Sequence, residues 1–360
     1  GGGMENGVAN LSLNLPRNGF DLHVCCLRSR GAFSERIAKP SQVYTLNKAP
    51  GLSFQCLRKL RKQILAVNPD IIHTHNLGPL IYAFFASYFG SQWKIVHGEH
   101  AELSDCELTM RRRLARKLMY RGCACVHSVS EQLTDQLREL NFNHGEILTI
   151  RNGVDTNKYA PPPDKIKAKQ KLKLPKLPSN SFVIGVVGRF GKYKRHAMLV
   201  SAFDEFATSH KEAVLILAGD GGPEKQLTLQ LIAECRNRDR IHWLGFLNDI
   251  NKFYQGIDLL ISPSINEGMS NAILEAMACG VPVLASKACG NAEILSSSEG
   301  GMLTAMDNKS TLANILSTIL KERTKLSRKG TLAREAASKQ FSIERMTENY
   351  RKLYQQIADT

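Results

Sequence analysis

Ile265-Asn266-Glu267-Gly268-Met269-Ser270-Asn271-Ala272-Ile273-Leu274-Glu275-Ala276-Met277-Ala278-Cys279-Gly280 is the stretch whose reading decides the fold. Its two carboxylates stand eight residues apart. Glu267 lies in a glycine-bearing loop after the apolar run Leu259 to Ile261, and Glu275 lies in a short helix opened near Ser270 or Asn271, both good N-caps. Gly280 with Pro282 just beyond marks the helix end. Strand, loop and helix in that order are what the crevice of an open parallel sheet requires. A helix start presents backbone N–H groups and a positive dipole end, so an anion is expected there. Glu267 then sits beside a bound anion that repels it, and a sugar hydroxyl is its natural partner. Two glutamates at this spacing are common, so by themselves they read as a solvated loop residue and a solvated helix residue.

Working outward, 360 residues suggest two domains, since single cores stop growing near ~250–300 residues. With 43% apolar residues and 7% aromatics the chain has material for real cores. The net charge of +15 fits an anionic small substrate or an anionic membrane surface. Nucleic acid fits the charge alone, but no RNA-binding signature, zinc-finger spacing or basic-aromatic platform appears, so no nucleic-acid partner is expected. Nine cysteines without a Cys-x2-Cys pair read as reduced thiols, hence a cytoplasmic placement. No apolar run approaches the ~20 residues that span a bilayer. Gly1-Gly2-Gly3 before Met4 suggests either a tag remnant or a lost first strand.

Along the chain, apolar runs alternate with helical stretches as in βαβ sheets. In the first part, strands are expected at 21–27, 70–75, 94–100, 123–129 and 147–150, and helices at 8–15, 57–67, 77–89 (ended by Gly90) and 108–121. Pro161-Pro162-Pro163 and the lysine-rich segment to Pro178 form the best linker candidate, and lysines 165, 167, 169, 171, 173 and 176 read as solvated linker charge. The second part opens with Phe182 to Val187, a buried parallel-type strand. Further strands are expected at 213–218, 241–244 and 281–285, and helices at 195–207, 224–235, 248–254, 312–322 and 342–358. Ligands in such sheets bind at strand C-terminal ends, and glycines and charges gather there.

Arg189 and Lys194 follow the buried strand in a glycine-bearing turn, where a bidentate fork and a point charge together suit a diphosphate. A P-loop is ruled out: no glycine stands five residues before Gly191, and Tyr193 follows Lys192. Gly219-Asp220-Gly221-Gly222 is not a dinucleotide fingerprint.

Taken in order, the segments resemble the GT-B fold retaining glycosyltransferases of family 4. Asn152-Gly153-Val154-Asp155, Gly188-Arg189 with Lys194, Gly219-Asp220-Gly221, Trp243-Leu244-Gly245-Phe246 and Pro263-Ser264 through Val283 carry the likeness. Met4-Glu5-Asn6-Gly7-Val8 and 266–271 look closest to a bacterial subgroup linked with exopolysaccharide and exosortase-type systems. The resemblance implies an α/β fold of two Rossmann-like domains facing across a cleft: 1–155 on the acceptor side with its first strand missing, 156–340 binding the nucleotide-sugar, and 341–360 a helix packing back on the first.

The implied roles follow by position. Glu267 holds hydroxyls of the donor sugar and Glu275 those of the ribose. Backbone N–H groups of Gly268, Met269 and Ser270 meet sugar and diphosphate, as do Gly2 and Gly3 from the first domain. Gly219, Phe246 and Leu247 line the nucleoside pocket. Arg189 and Lys194 neutralise the leaving diphosphate, so no metal or other cofactor is expected. His100 touches the donor sugar, with His97 as the fallback. The implied function is transfer of a sugar from a UDP- or GDP-linked donor to a glycan or lipid-linked acceptor, the latter at the inner face of the plasma membrane. A different GT-B enzyme, such as a sugar-nucleotide epimerase or a phosphorylase, and a non-catalytic basic module are the alternatives.

Two further features carry an alternative each. His73, His75, His97 and His100 form either a metal cluster or, the favoured reading, two neighbouring strand ends at a polar cleft. The helix at 107–121 combines Met110, Leu114, Ala115, Leu118 and Met119 with six cations. Packing of that apolar stripe on the sheet, with a solvated basic face, is favoured over peripheral contact with anionic lipid.

Overall fold

The structure is a computed structural model, and it describes residues 2–15, 19–87, 93–142, 145–172, 174, 177–178, 180–296 and 298–359. The chain divides into two compact units, Gly1–Gly153 with Ile343–Thr360, and Val154–Ser342.

The first unit runs α1 (Gly3–Asn14), β1 (Val24–Cys26), β2 (Val43–Thr45), α2 (Phe54–Val67), β3 (Ile71–His75), α3 (Leu77–Ser87), β4 (Lys94–Glu99), α4 (Met110–Tyr120), β5 (Cys125–Ser128), α5 (Glu131–Glu139) and β6 (Ile147–Thr149). β3-β4-β5-β6 form a parallel four-stranded sheet, and β1 and β2 pair separately, also in parallel. The end of the helix expected at 77–89, with Phe89 and Gly90, lies outside the described residues. The expected buried strand at 21–27 is a short ribbon instead: β1 leaves Cys25 exposed and, among the described residues, pairs only with β2, a strand too brief for its periodicity to show.

Side chains alternate across the strands. One face of the sheet carries His73, His75 and His127, the other Thr74, His97 and Glu99. Ser53 and Ser130 cap α2 and α5 through their hydroxyls.

The second unit runs α6 (Lys165–Gln170), β7 (Phe182–Val187), α7 (His196–Ser209), β8 (Ala213–Ala218), α8 (Lys225–Glu234), β9 (Ile241–Trp243), α9 (Asn251–Gly256), β10 (Leu259–Ser262), α10 (Asn271–Ala278), β11 (Val283–Ser286), α11 (Cys289–Ser296), β12 (Gly301–Thr304), α12 (Lys309–Lys321) and α13 (Leu326–Gln340). The last helix, α14 (Ile343–Asp359), belongs to the first unit, where Ile343, Met346, Tyr350 and Leu353 join Leu11, Val96 and Ile150 in one core.

All six strands of the second unit are parallel, in the order β12-β11-β10-β7-β8-β9. This is the doubly wound order, which reverses between β7 and β10. β7 and β8 are almost wholly buried, as a sheet covered on both faces demands.

The lysine-rich segment is not simply solvated. It folds as α6, capped by Asp164. Lys169 is buried, 2.6 Å from Asp258 and donating to the Ser181 carbonyl at 2.8 Å. Lys165 donates to the Ile257 carbonyl, and burial lowers its ammonium to about 8. Spacing alone does not reveal that an acid lies under one turn of a basic helix. Lys173 and Lys176 lie outside the described residues.

Candidate functional site

The strand order of the second unit reverses at β7 and β10, so the loops leaving these two strands diverge and open a crevice. Both sequence-predicted stretches fall on these loops. Gly188 to Lys194 follows β7, and residues 263–270 follow β10. Across the crevice the Lys194 Nζ and Glu267 Oε1 form an ion pair, with Lys194 about one-third and Glu267 14% exposed. The loops are also tied by backbone: Ile265 N–H donates to the Tyr193 carbonyl at 2.9 Å, and Ser264 Oγ donates to the same oxygen at 3.2 Å. Arg189 is exposed and has no side-chain partner among the described residues.

Gly268, Met269 and Ser270 turn their bulk inward, all three buried. Ser270 stands at the N-cap of α10, yet its hydroxyl accepts nothing from the first turn, so the dipole end carries no side-chain cap. Glu275, one turn further on, is nearly buried and accepts the Tyr254 hydroxyl at 2.8 Å. That bond occupies Oε2 of the carboxylate to which the resemblance gives ribose hydroxyls.

Two glycines make the crevice possible. Gly219 adopts φ +132°, and a Cβ there would stand 2.1 Å from the Gly188 carbonyl oxygen. Its own N–H donates to the Gly245 carbonyl at 2.8 Å, which brings the loop of Phe246 and Leu247 alongside. Phe246 is half exposed and Leu247 partly so.

The second glycine escaped the sequence reading. Gly290, in the first turn of α11, lies against the loop of Glu267: its N–H donates to the Glu267 carbonyl at 3.2 Å, and a Cβ would stand 1.8 Å from the Gly268 oxygen. Only its place just after β11, Ala288-Cys289-Gly290, hinted at it. Beneath, Ser286 Oγ donates to the Ser264 carbonyl, and Asn291 Nδ2 donates to Ser286.

In the first unit the polar residues also gather at strand ends. His75 Nδ1 and His100 Nε2 share a hydrogen bond of 2.8 Å, His73 Nε2 and His127 Nε2 one of 2.9 Å, and His73 Nδ1 meets the Tyr354 hydroxyl at 2.6 Å. Burial, reinforced by the neighbouring imidazoles, lowers all four: His75 to about 4, His127 to about 3, and His73 and His100 well below the usual value. The cluster is therefore neutral near pH 7. Among the described residues, no group of three or more His, Cys, Asp or Glu is arranged to hold a metal ion.

The fourth member is His127, not His97. His97 lies on the other face, with Thr74 Oγ1 at 2.9 Å and Glu99 at 3.5 Å. His127 shares a face of β5 with Cys125, a signal usable only once the strand register is known. The start of α1 reaches this end of the sheet: Asn76 Nδ2 donates to Met4 Sδ at 3.4 Å, while Asn76 Oδ1 accepts the His100 N–H at 3.1 Å. Gly2 and Gly3 open that helix, and the Gly2 N–H is taken by Glu5 at 2.8 Å.

The helix expected to pack its apolar stripe on the sheet divides that stripe, and one of its six cations turns inward. Arg116 is buried, its Nε 2.8 Å from Glu99 Oε1 and its Nη2 2.9 Å from Glu107 Oε2, and the Tyr120 hydroxyl donates to Glu99 at 2.8 Å. Burial opposes ionisation of Glu99, but His97 and Arg116 outweigh it and hold the carboxyl down to about 2. Met119 and Tyr120 face inward, whereas Met110, Leu114 and Leu118 are exposed.

Two Rossmann-like units, one with a doubly wound sheet and an acid–base pair at its switch point, define the GT-B class of transferase. Residues 1–158 match Glycosyltransferase Family 4 and residues 167–336 match Glycosyl transferases group 1. The chain belongs to this family of GT-B glycosyltransferases. It is 27% identical over 333 residues to the UDP-Gal:alpha-D-GlcNAc-diphosphoundecaprenol alpha-1,3-galactosyltransferase of Escherichia coli, covering 86% of this chain and 84% of that protein. It is 26% identical to the N-acetyl-alpha-D-glucosaminyl L-malate synthase of Bacillus anthracis, over 87% and 82% of the two chains. Among solved structures it is similar to Anabaena HepE in complex with UDP-glucose, with a TM-score of 0.85, 25% identity and coverage of 99% and 96%.

Proposed function

We propose that this glycosyltransferase takes its sugar from a UDP-sugar and transfers it, with retention of configuration and without a metal, to a hydroxyl of a glycan or lipid-linked acceptor in bacterial polysaccharide or glycolipid synthesis. The observation that carries the reading is the Lys194–Glu267 pair at the strand-order reversal, beside the start of α10, which has no side-chain cap, and Arg189, which has no side-chain partner among the described residues. Here the two charges satisfy each other. A bound donor would offer each another partner: sugar hydroxyls for Glu267, the diphosphate for Lys194. Arg189 and Lys194 then stabilise the charge growing on the leaving group, and Glu275, supported by Tyr254, holds the ribose.

A UDP donor is favoured over GDP because the galactosyltransferase relative and the HepE complexes carry uridine nucleotides in their descriptions. A placement at the cytoplasmic membrane face follows if the acceptor is lipid-linked. For retention we favour a front-face route, with the leaving phosphate accepting the acceptor's proton. A trapped glycosyl adduct on Glu267 would overturn that route. The test of the whole reading is a thermal-shift panel of UDP, GDP, ADP and their sugar conjugates with and without EDTA. UDP at ~100 times its dissociation constant should add about 2.7 kcal/mol, unchanged by EDTA and lost in Glu275→Ala. Stabilisation by GDP alone would replace the donor, and stabilisation by none would refute the site.

A further inference from the structure

α4 is built the wrong way round for a helix that only packs on a sheet. At ~100° per residue, Leu114 and Leu118 lie nearly opposite Arg116. Arg116 is committed inward by Glu99 and Glu107, and that commitment turns the apolar stripe outward. Met110, Leu114 and Leu118 are 79%, 66% and 57% exposed. Around them stand exposed Arg111, Arg113, Lys117 and Arg121, none in an ion pair among the described residues. Arg112 alone is paired, with Glu107.

The neighbouring helices carry the same mixture of side chains. α3 packs against both α2 and α4, and Arg61 of α2 donates to the Ala86 carbonyl of α3 at 2.7 Å. Phe54 and Leu65 of α2 and Phe85 of α3 are exposed, as are Arg58, Lys59 and Lys62. No aspartate or glutamate occurs in α2, α3 or α4. A surface of large apolar side chains set among uncompensated cations matches the interface of an anionic bilayer, where acyl boundary and phosphates lie within one side-chain length of each other.

We propose that the outward face of α2, α3 and α4 is a docking surface for an anionic lipid bilayer, with Met110, Leu114 and Leu118 entering the headgroup–acyl boundary and the flanking cations pairing with lipid phosphates. The inference stands on the first unit alone and does not depend on the donor or acceptor proposed above. A second copy of the chain fits less well, because a two-fold contact across this face would set arginines against arginines. Nucleic acid would leave Met110, Leu114 and Leu118 without a role.

The test is flotation of the full chain with vesicles of phosphatidylcholine, alone or mixed with phosphatidylglycerol. The protein should float with the mixed vesicles, not with the neutral ones, and less at high salt. Met110→Ser/Leu114→Ser/Leu118→Ser should weaken partitioning at least about tenfold. Arg111→Gln/Arg113→Gln/Lys117→Gln/Arg121→Gln should weaken it on the order of a hundredfold. All seven side chains are exposed, and unchanged thermal unfolding checks that both variants fold. Absence of flotation with the mixed vesicles, or variants that float like the parent, overturns the proposal. So does sedimentation showing a dimer that the serine variant abolishes, or duplex DNA displacing the protein from mixed vesicles in a way that only the charge variant prevents.

Discussion

In the second unit the loops at the strand ends are fastened by backbone pressed on glycine and by the Lys194–Glu267 pair, which keeps two charges partly open to solvent. In the first unit the strand ends carry hydrogen-bonded imidazoles made neutral by burial, while the charges, Glu99 and Arg116, are sealed under α4 on the opposite face of the sheet. An accessible charge can change partners when a ligand arrives. A sealed pair cannot, and serves only to orient what covers it. Substitutions in the second unit should therefore be felt in chemistry, and those in the first unit in stability and its pH dependence.

The sharpest way to break this contrast is Arg116→Met. It leaves Glu99 buried without its cation and should cost about 3–5 kcal/mol, read by chemical denaturation, with Glu99→Gln added to Arg116→Met recovering much of the loss. Little effect would mean that the pair does not hold α4 in place. Next come Lys194→Ala and Glu267→Ala, each expected to lower the rate of sugar transfer on the order of a hundred- to a thousandfold with little change in unfolding temperature. A large stability loss instead would make the pair structural.

Gly290→Ala sharpens the comparison from the loop side. Its Cβ cannot coexist with the Gly268 oxygen where both now stand, so the 266–270 loop must move. A stability loss of about 1–3 kcal/mol should accompany lost transfer, and full activity would show that the loop position does not matter.

The smallest effect is per histidine. Folding lowers the cluster's affinity for protons, so the folded state binds fewer than the unfolded one. The contribution is fully present above pH 6.5 and is lost as pH falls toward the folded values, about 4 for His75 and about 3 for His127. Unfolding free energies at pH 7 and 5.5, read by chemical denaturation, should differ by on the order of 1 kcal/mol per histidine. His127→Asn should reduce that difference, and an unchanged slope would remove the cluster from the account.

The α/β class and the family were legible because strand, loop and helix signals recur in a fixed order, each set locally by apolar runs, caps and glycines. β7 and β8, expected at 182–187 and 213–218, span Phe182–Val187 and Ala213–Ala218. β2, β12, α6, α11 and α13 do not show in the sequence, since their patterns are short or masked by lysines. Which face a residue takes was harder. The run 107–121 shows an apolar stripe and a basic one, and periodicity says only that they differ, not which is inside.

The sequence by itself determined the order of the elements, the family, and the loops on which Arg189, Lys194 and Glu267 stand, because these depend on near neighbours in the chain. Tertiary structure alone decided that Lys194 meets Glu267, that Gly290 makes room for the loop between them, that His127 rather than His97 completes the imidazole cluster, and that Arg116 turns inward. Each of these is a contact between distant segments, set by strand order and register. For Arg116 the deciding quantity is the cost of leaving Glu99 buried without a cation, which outweighs that of exposing Leu114 and Leu118.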